Sequence, residues 1–290
     1  MDSNNVQAGL ANINAKADIK NELKAADTIH NQVGGTTNYS NSNNQVITQN
    51  FYVNILPNIN PDKAIQEALA LGNENAKSIG TFVDRELQKA NISQEQIEEK
   101  LKAPEVLSTI AEANKIAYTE SNEDKQKVLA NLICEKLKSE ESFEQVVYSE
   151  AIKVMSKLTL LQVKLLYVVA LWIYCGIPNK GMEETITFIK ECLNIIDNEN
   201  INKTNIEHLL YSGVAERRTI FVEFKQVFES KKANVSYNDI KDDEYVIKFE
   251  GFWNNSNLKT ILLTSVGKAI AITYSKSIGT PIIGTENIFK

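Results

Sequence analysis

The sequence predicts a mainly α-helical fold with minor β structure. After residue 60, apolar residues recur at spacings of three, four and seven, which is typical of amphipathic helices. Three capping boxes indicate helix starts in this part of the chain: Ser93 with Gln96, Ser142 with Gln145, and Thr159 with Gln162. Residues 36–55 differ, because a run of Asn, Ser and Thr gives way to strict alternation of apolar and polar residues. That alternation is typical of a half-buried strand.

The alternating segment predicts a strand with two distinct faces. One face carries mostly apolar side chains: Ile47, Gln49, Phe51, Val53 and Ile55. A single strand cannot satisfy its own backbone hydrogen bonds, so it needs a partner strand. The strands predicted near the C-terminus pair with each other, which leaves residues 6–19 or a second copy of the chain.

Three parts are predicted along the chain. Residues 1–59 form a polar β segment for oligomerisation, residues 60–177 a helical-bundle body, and residues 178–290 a winged-helix-like α+β unit. Before residue 47 the polar segment has two interpretations: short strands that order on assembly, or a compositionally biased tail.

The body begins with a clear helix signal. Residues 60–62, Asn-Pro-Asp, supply an N-cap, a proline at the first helical position and an acid in the first turn, and the periodicity continues to about residue 90. Gly72 and Gly80 in this helix are expected at close helix crossings. In later helices Leu107 and Val146 are expected to face the core.

The apolar stretch at residues 158–177 predicts a central core helix. Only residues 165–177 lack charge and strong polarity, whereas a membrane span needs about 20 apolar residues. We therefore expect no membrane span.

Two short strands, at residues 245–249 and 260–263, are predicted around an Asn- and Gly-rich turn, and a last helix begins at Thr264. The strands lead into an L-T-x-x-G-K-x-I motif formed by Leu263, Thr264, Gly267, Lys268 and Ile270. This unit resembles the wing and closing helix of winged-helix domains.

A broader resemblance lies upstream. Residues 124–138 (DKQKVLANLICEKLK) and 149–166 (SEAIKVMSKLTLLQVKLL) resemble the core of bacterial Abi-alpha abortive-infection proteins. Residues 6–19 (VQAGLANINAKADI) resemble a different, uncharacterised bacterial family whose members open with a polar N-x-Q-A-G stretch. These likenesses cover about half the chain, and their motifs mark helix boundaries. They imply a cytoplasmic anti-phage or stress-response protein with no defined biochemical activity.

Composition and charge argue against several classes of protein. The formal net charge of −6 over 290 residues argues against a protein that coats nucleic acid. The three cysteines lie in helical patterns and the first residues lack a secretion signal, so we expect reduced thiols in the cytoplasm. His30 and His208 are far apart without zinc-ligand spacing, so we expect no metal and no cofactor.

Two sets of charged residues are candidates for chemistry. Residues 218–228 fit either a strand or a helix, and on a strand Glu223 and Lys225 would share one face, as in Mg²⁺-dependent nucleases. In a winged-helix interpretation, Arg217, Arg218 and Lys225 form a DNA-binding face. A solvated charged surface is the simpler explanation of both sets.

The leading hypothesis is a non-enzymatic interaction protein of bacterial defence. It associates with itself through residues 47–55 and also binds a phage or host protein, while nucleic acid is not expected as a partner. A winged-helix DNA-binding protein and a Mg²⁺-dependent nuclease are the alternatives.

Overall fold

The computed structural model describes residues 61–175, 181–196, 201, 203–219, 221–230 and 234–280. This part of the chain contains twelve helices and one two-stranded antiparallel ribbon, which confirms the mainly α fold class. The helices are α1 (Pro61–Lys89), α2 (Gln94–Leu101), α3 (Pro104–Thr119), α4 (Glu123–Lys138), α5 (Ser142–Met155), α6 (Leu160–Tyr174), α7 (Met182–Ile195), α8 (Lys203–Tyr211), α9 (Phe224–Ser230), α10 (Tyr237–Ile240), α11 (Glu244–Asn255) and α12 (Ser265–Ser277). The strands are β1 (Ala215–Arg217) and β2 (Ile261–Leu263), with a 3₁₀ turn at Leu258–Thr260 before β2. The predicted strand at residues 47–55 lies outside the described residues.

Two of the three predicted capping boxes start helices as expected. The Ser93 hydroxyl accepts from the backbone N–H of Gln96 at 3.2 Å, and the Gln96 side chain accepts from the Ser93 N–H at 3.0 Å. Thr159 forms the same reciprocal pair with its partner at the start of α6. The box predicted at Ser142 is wrong, because the N-cap position of α5 is Glu141, which makes no side-chain capping bond, and Gln145 donates to the Ser139 carbonyl at 3.0 Å.

The first glycine of α1 marks a close helix crossing and the second does not. A side chain at Gly72 would overlap the ring of Tyr118 from α3, so the expected crossing is confirmed there. At Gly80 an added Cβ would have no neighbour within 4 Å, so the crossing expected at that position is wrong.

Two predicted core positions point outward instead. Leu107 is 41% exposed and Val146 is 60% exposed. In each case a neighbouring residue, Val106 or Val147, occupies the buried position. A shift of one residue turns a helical side chain by about 100°, so it moves a position at the edge of the apolar stripe into solvent.

Helix α6 is the central core helix that its composition predicts. Every residue from Leu165 to Trp172 is buried, so no polar face exists. Near its C-terminal end, the Trp172 ring stacks on Phe224 with centroids 4.6 Å apart and meets Phe249 edge-on at 5.1 Å. No helix within the described ranges is long and apolar enough to cross a membrane.

Helix α12 joins the two predicted regions. It packs against α4, α5 and α6 of the body, although it belongs to the C-terminal region in sequence. The Lys276 ammonium lies 3.0 Å from the Glu135 carboxylate of α4, which adds an ion pair to the apolar contact. The buried apolar residues of both regions form one continuous cluster.

The predicted hairpin between residues 245–249 and 260–263 is wrong in its first strand. Residues 244–255 form α11, whose N-terminus is capped by the Asp243 carboxylate, which accepts from the backbone N–H groups of Tyr245 and Val246. Val246, Phe249 and Trp253 are buried at helical spacing, and a short run of aromatic and β-branched residues concealed that period. Strand β2 pairs with β1 instead.

The L-T-x-x-G-K motif has two structural roles. The Thr264 hydroxyl caps α12 as expected, accepting from the Gly267 N–H at 3.3 Å, and it donates to the Gly213 carbonyl at 2.9 Å. Gly267 allows α12 to approach the preceding loop, because a Cβ there would overlap the Val214 carbonyl oxygen.

Alanine substitutions at two glycines should have opposite effects on stability. Gly267→Ala forces the helix away from rigid backbone, so we expect the free energy of unfolding to fall by about 1–3 kcal/mol. Gly80→Ala adds a better helix former in open space and should raise it by about 0.5–1 kcal/mol. Urea denaturation followed by circular dichroism measures both changes. Equal effects at the two positions would contradict the close approach at Gly267.

Candidate functional site

The β1–β2 ribbon organises the charged residues that the sequence singles out. Its register pairs Ala215 with Leu263 and Arg217 with Ile261. On the inner edge of β2, the Thr260 carbonyl accepts from the Arg218 N–H at 2.8 Å, and the Thr264 N–H donates to the Val214 carbonyl at 3.2 Å. Because alternate residues of a strand direct their backbone groups to opposite edges, Ile261 and Leu263 face the outer edge.

Side chains satisfy the backbone groups at that outer edge. The Arg218 Nε donates to the Ile261 carbonyl at 3.0 Å. The Tyr174 hydroxyl accepts from the Leu263 N–H at 3.0 Å. The end of α6 and the residue after β1 therefore close an edge that would otherwise be open for another strand.

A second cation lies against the same tyrosine. The Lys268 ammonium sits 4.7 Å from the centroid of the Tyr174 ring, which is a favourable cation–π distance. Burial raises the pKa of the Tyr174 hydroxyl, while the Leu263 N–H and the Arg218 charge oppose that rise in part. Tyr174 is therefore a neutral donor at physiological pH, with Arg218 and Lys268 as cationic neighbours.

The two predicted arginines have different environments. Arg217 is exposed and its Nη2 lies 2.6 Å from the Glu207 carboxylate. A solvent-exposed pair of this kind contributes about 0–1 kcal/mol. Arg218 is half-buried, and burial lowers its pKa. The ribbon therefore does not present the two arginines as one face.

Glu223 and Lys225 do not share a strand. Glu223 directly precedes α9 and lies 2.8 Å from the Lys259 ammonium, whereas Lys225 lies within α9. The Lys225 ammonium is 3.7 Å from the Glu229 carboxylate and 5.4 Å from the Tyr237 ring centroid. The strand geometry that nuclease chemistry requires is thus not found here, and nowhere in the described part do three His, Cys, Asp or Glu residues cluster as metal ligands would.

His208 and the cysteines have structural environments. The Nδ1 of His208 lies 3.0 Å from the Gln162 side-chain nitrogen, so the imidazole links α8 to the start of α6. Cys134, Cys175 and Cys192 are all buried. Burial raises the pKa of Cys134 to about 12, which makes it a poor nucleophile at neutral pH.

Sequence reasoning missed Tyr174 and named Lys268 only as part of a helix-start motif. Tyr174 is the last residue of an apolar helix, and nothing local indicates that its hydroxyl reaches a strand 89 positions later. One local feature could have indicated Lys268: it lies one turn after the capped start of α12 and next to Gly267, where the close backbone approach requires a glycine.

Comparisons with known proteins place the chain in a family without assigning an activity. A protein-family model described only as “:-like” matches residues 57–251, about two thirds of the sequence, and the chain belongs to that family. No curated protein matches it. No solved structure matches it either.

Alkaline pH should destabilise the protein through its buried acids. Cys134 has its pKa raised from 9.0 to about 12 by burial, and Tyr274 has its pKa raised from 10.0 to about 12. The unfolded chain therefore releases these protons first, so this stability is complete below about pH 9 and declines as the pH rises towards 12. Each group contributes a slope of up to about 1.4 kcal/mol per pH unit.

Urea denaturation of the reduced protein between pH 8 and pH 11 measures that slope. Cys134→Ala is expected to flatten it, because one of the buried acids whose pKa is raised is removed. A slope unchanged by Cys134→Ala would contradict the assignment to this thiol.

Proposed function

We propose that this chain is a non-enzymatic, self-assembling interaction protein of bacterial anti-phage defence. Copies associate through the strand at residues 47–55, and the helical body presents a surface to a phage or host protein in the cytoplasm. The observation that carries the proposal is the alternation of apolar and polar residues at positions 47–55, which predicts a strand in need of a partner, in a chain whose described part is mainly helical.

The ribbon is a poor partner for such a strand. Each of its strands is only three residues long. The outer edge of β2 is already closed by Tyr174 and Arg218. This supports pairing with residues 6–19 or with a second copy, and Asn and Gln side chains suit stacking between identical strands.

Exposed apolar side chains on the body support a second contact. Phe143 and Val146 are 56% and 60% exposed on one helix, α5. They lie three residues apart, so they project from the same side of that helix. Large apolar residues on a polar surface favour protein binding over catalysis.

The connection to defence rests on the resemblance to Abi-alpha proteins. The two segments that carry it fall within α4 and across the boundary between α5 and α6. The buried apolar residues there, such as Leu129, Leu132 and Ile152, build the core of the body.

The two alternative functions receive less support. A winged-helix DNA-binding protein uses a hairpin as its wing, and in the described residues the first strand of that hairpin is α11. Arg217 is paired with Glu207, and Lys225 lies near Glu229, which reduces the positive field that DNA binding needs. A nuclease using Glu223 and Lys225 would need both on one strand.

Proline substitution in the full-length chain tests self-association. Val53→Pro removes a backbone donor and fixes φ, so it should break the strand ladder and convert the assembly to monomers. Size-exclusion chromatography with light scattering measures the mass over a range of concentrations. Ser40→Pro is the matched control, since it changes the Asn- and Ser-rich stretch before the alternating strand and should leave the mass unchanged.

Two results would refute self-association through residues 47–55. One is a monomeric wild-type protein at every concentration, and the other is an assembly whose mass survives both Val53→Pro and deletion of residues 1–58.

The DNA-binding alternative makes a separate prediction. It requires salt-dependent binding to duplex DNA that weakens when Arg217, Arg218 and Lys225 are all replaced by Ala. We expect no such binding at physiological salt, because Arg217 and Lys225 lie against Glu207 and Glu229 and Arg218 is half-buried. Fluorescence anisotropy with a labelled duplex measures it.

A further inference from the structure

Three side chains near the outer edge of β2 carry N–H or O–H groups that lack an acceptor among the described residues. They are Tyr174, Arg218 and Lys268. Arg218 uses its Nε on the Ile261 carbonyl, and no hydrogen bond or ion pair within the described residues engages its two terminal nitrogens. Lys268 contacts the Tyr174 ring and forms no ion pair with any acid in the part of the chain that the structure describes. The Tyr174 hydroxyl accepts from the Leu263 N–H, which leaves its own proton to donate.

The backbone of β2 holds these groups close together. Ile261 and Leu263 are two residues apart on one strand, so their positions differ by about 7 Å. Arg218 is fixed to the first and Tyr174 to the second, and Lys268 lies over the Tyr174 ring at 4.7 Å. Three different elements therefore supply one cluster: α6, the segment after β1, and α12.

We propose that Tyr174, Arg218 and Lys268 bind the dianionic phosphate group of a small phosphorylated ligand. The guanidinium supplies two terminal N–H groups in a fork, the ammonium a point charge, and the phenol a neutral O–H donor. This set of donors suits a tetrahedral oxyanion.

The charge of the two cationic side chains favours a phosphate ligand over a carboxylate ligand. Two cations face the site, and a phosphate monoester carries close to two negative charges at neutral pH. A carboxylate would neutralise only one of them. Glu216 lies near enough to influence Tyr174 electrostatically, but no ion pair joins it to Arg218 or Lys268 among the described residues. Glu216 therefore lowers the positive potential at Tyr174 without forming an ion pair with either of the two cations.

The site is independent of the proposed self-association. Its residues lie on α6, the ribbon and α12, and none belongs to residues 47–55. A protein that fails to assemble can therefore still bind phosphate, and the reverse also holds.

Titration of the full-length protein with inorganic phosphate and with adenosine monophosphate tests the proposal. Both ligands should raise the melting temperature, by an amount that grows with the logarithm of ligand concentration above the dissociation constant, and calorimetry gives the dissociation constants. Lys268→Gln should weaken both ligands at least about tenfold, because a charged hydrogen bond is lost. Lys268→Arg should retain most of the affinity.

Lys190→Gln is the matched control. Lys190 also lies against a tyrosine, with its ammonium 4.8 Å from the Tyr245 ring centroid, so its replacement removes the same charge and the same kind of contact. It should leave phosphate binding unchanged.

Three outcomes would overturn the proposal. The first is the same phosphate affinity in wild type and Lys268→Gln, and the second is acetate binding as tightly as phosphate. The third is displacement of phosphate by a DNA duplex without terminal phosphates, which would indicate a phosphodiester-binding face.

Discussion

The burial of α6 on every side is the constraint on which the rest of the structure depends. A helix without a polar face must be covered all round, and here α12, α7 and β2 all contact it. The Trp172 indole N–H finds no hydrogen-bond acceptor in the described part of the chain. Leaving it unsatisfied costs about 1–3 kcal/mol, whereas a buried Trp side chain stabilises a core by about 3–5 kcal/mol. The stabilisation from apolar packing therefore exceeds the cost of the unpaired N–H at this position. The aromatic rings of α9 and α11 pack around Trp172.

Local signals in the sequence predicted the helical body well. Ser93, Asn122, Thr159 and Thr264 all cap the helices that follow them. Such motifs depend on residues within one turn, so no tertiary information is needed to interpret them. Ser142 shows the limit of such local signals. Glu141, and not Ser142, occupies the N-cap position of α5, and the hydrogen bond from Gln145 to the Ser139 carbonyl is what distinguishes the two possible helix starts.

Tertiary contacts are where sequence reasoning failed. Residues 245–249 have the composition of a strand, yet the Asp243 cap and the burial of Phe249 and Trp253 produce a helix. The candidate site depends on even longer separations, since Arg218 meets the Ile261 carbonyl 43 residues later. The contact between Arg218 and Ile261 leaves no periodic trace in the chain. Arg217 and Arg218 are separated because adjacent residues project in different directions. Glu223 and Lys225 are separated because a helix begins at Phe224 and no strand holds them on one face.

Helix α12 has a consequence for how the protein forms during translation. It fills the space between α4, α5 and α6, yet it is synthesised after every other described element. Before residue 277 leaves the ribosome, the faces of α4, α5 and α6 that pack against α12 lack their final cover. The helices synthesised earlier therefore expose apolar surface until α12 is available. During that time a chaperone can bind them, or they can form non-native contacts. Because α12 is the last of the described elements, its contacts make completion of this core a late, cooperative event in place of a stepwise one from α1 onward.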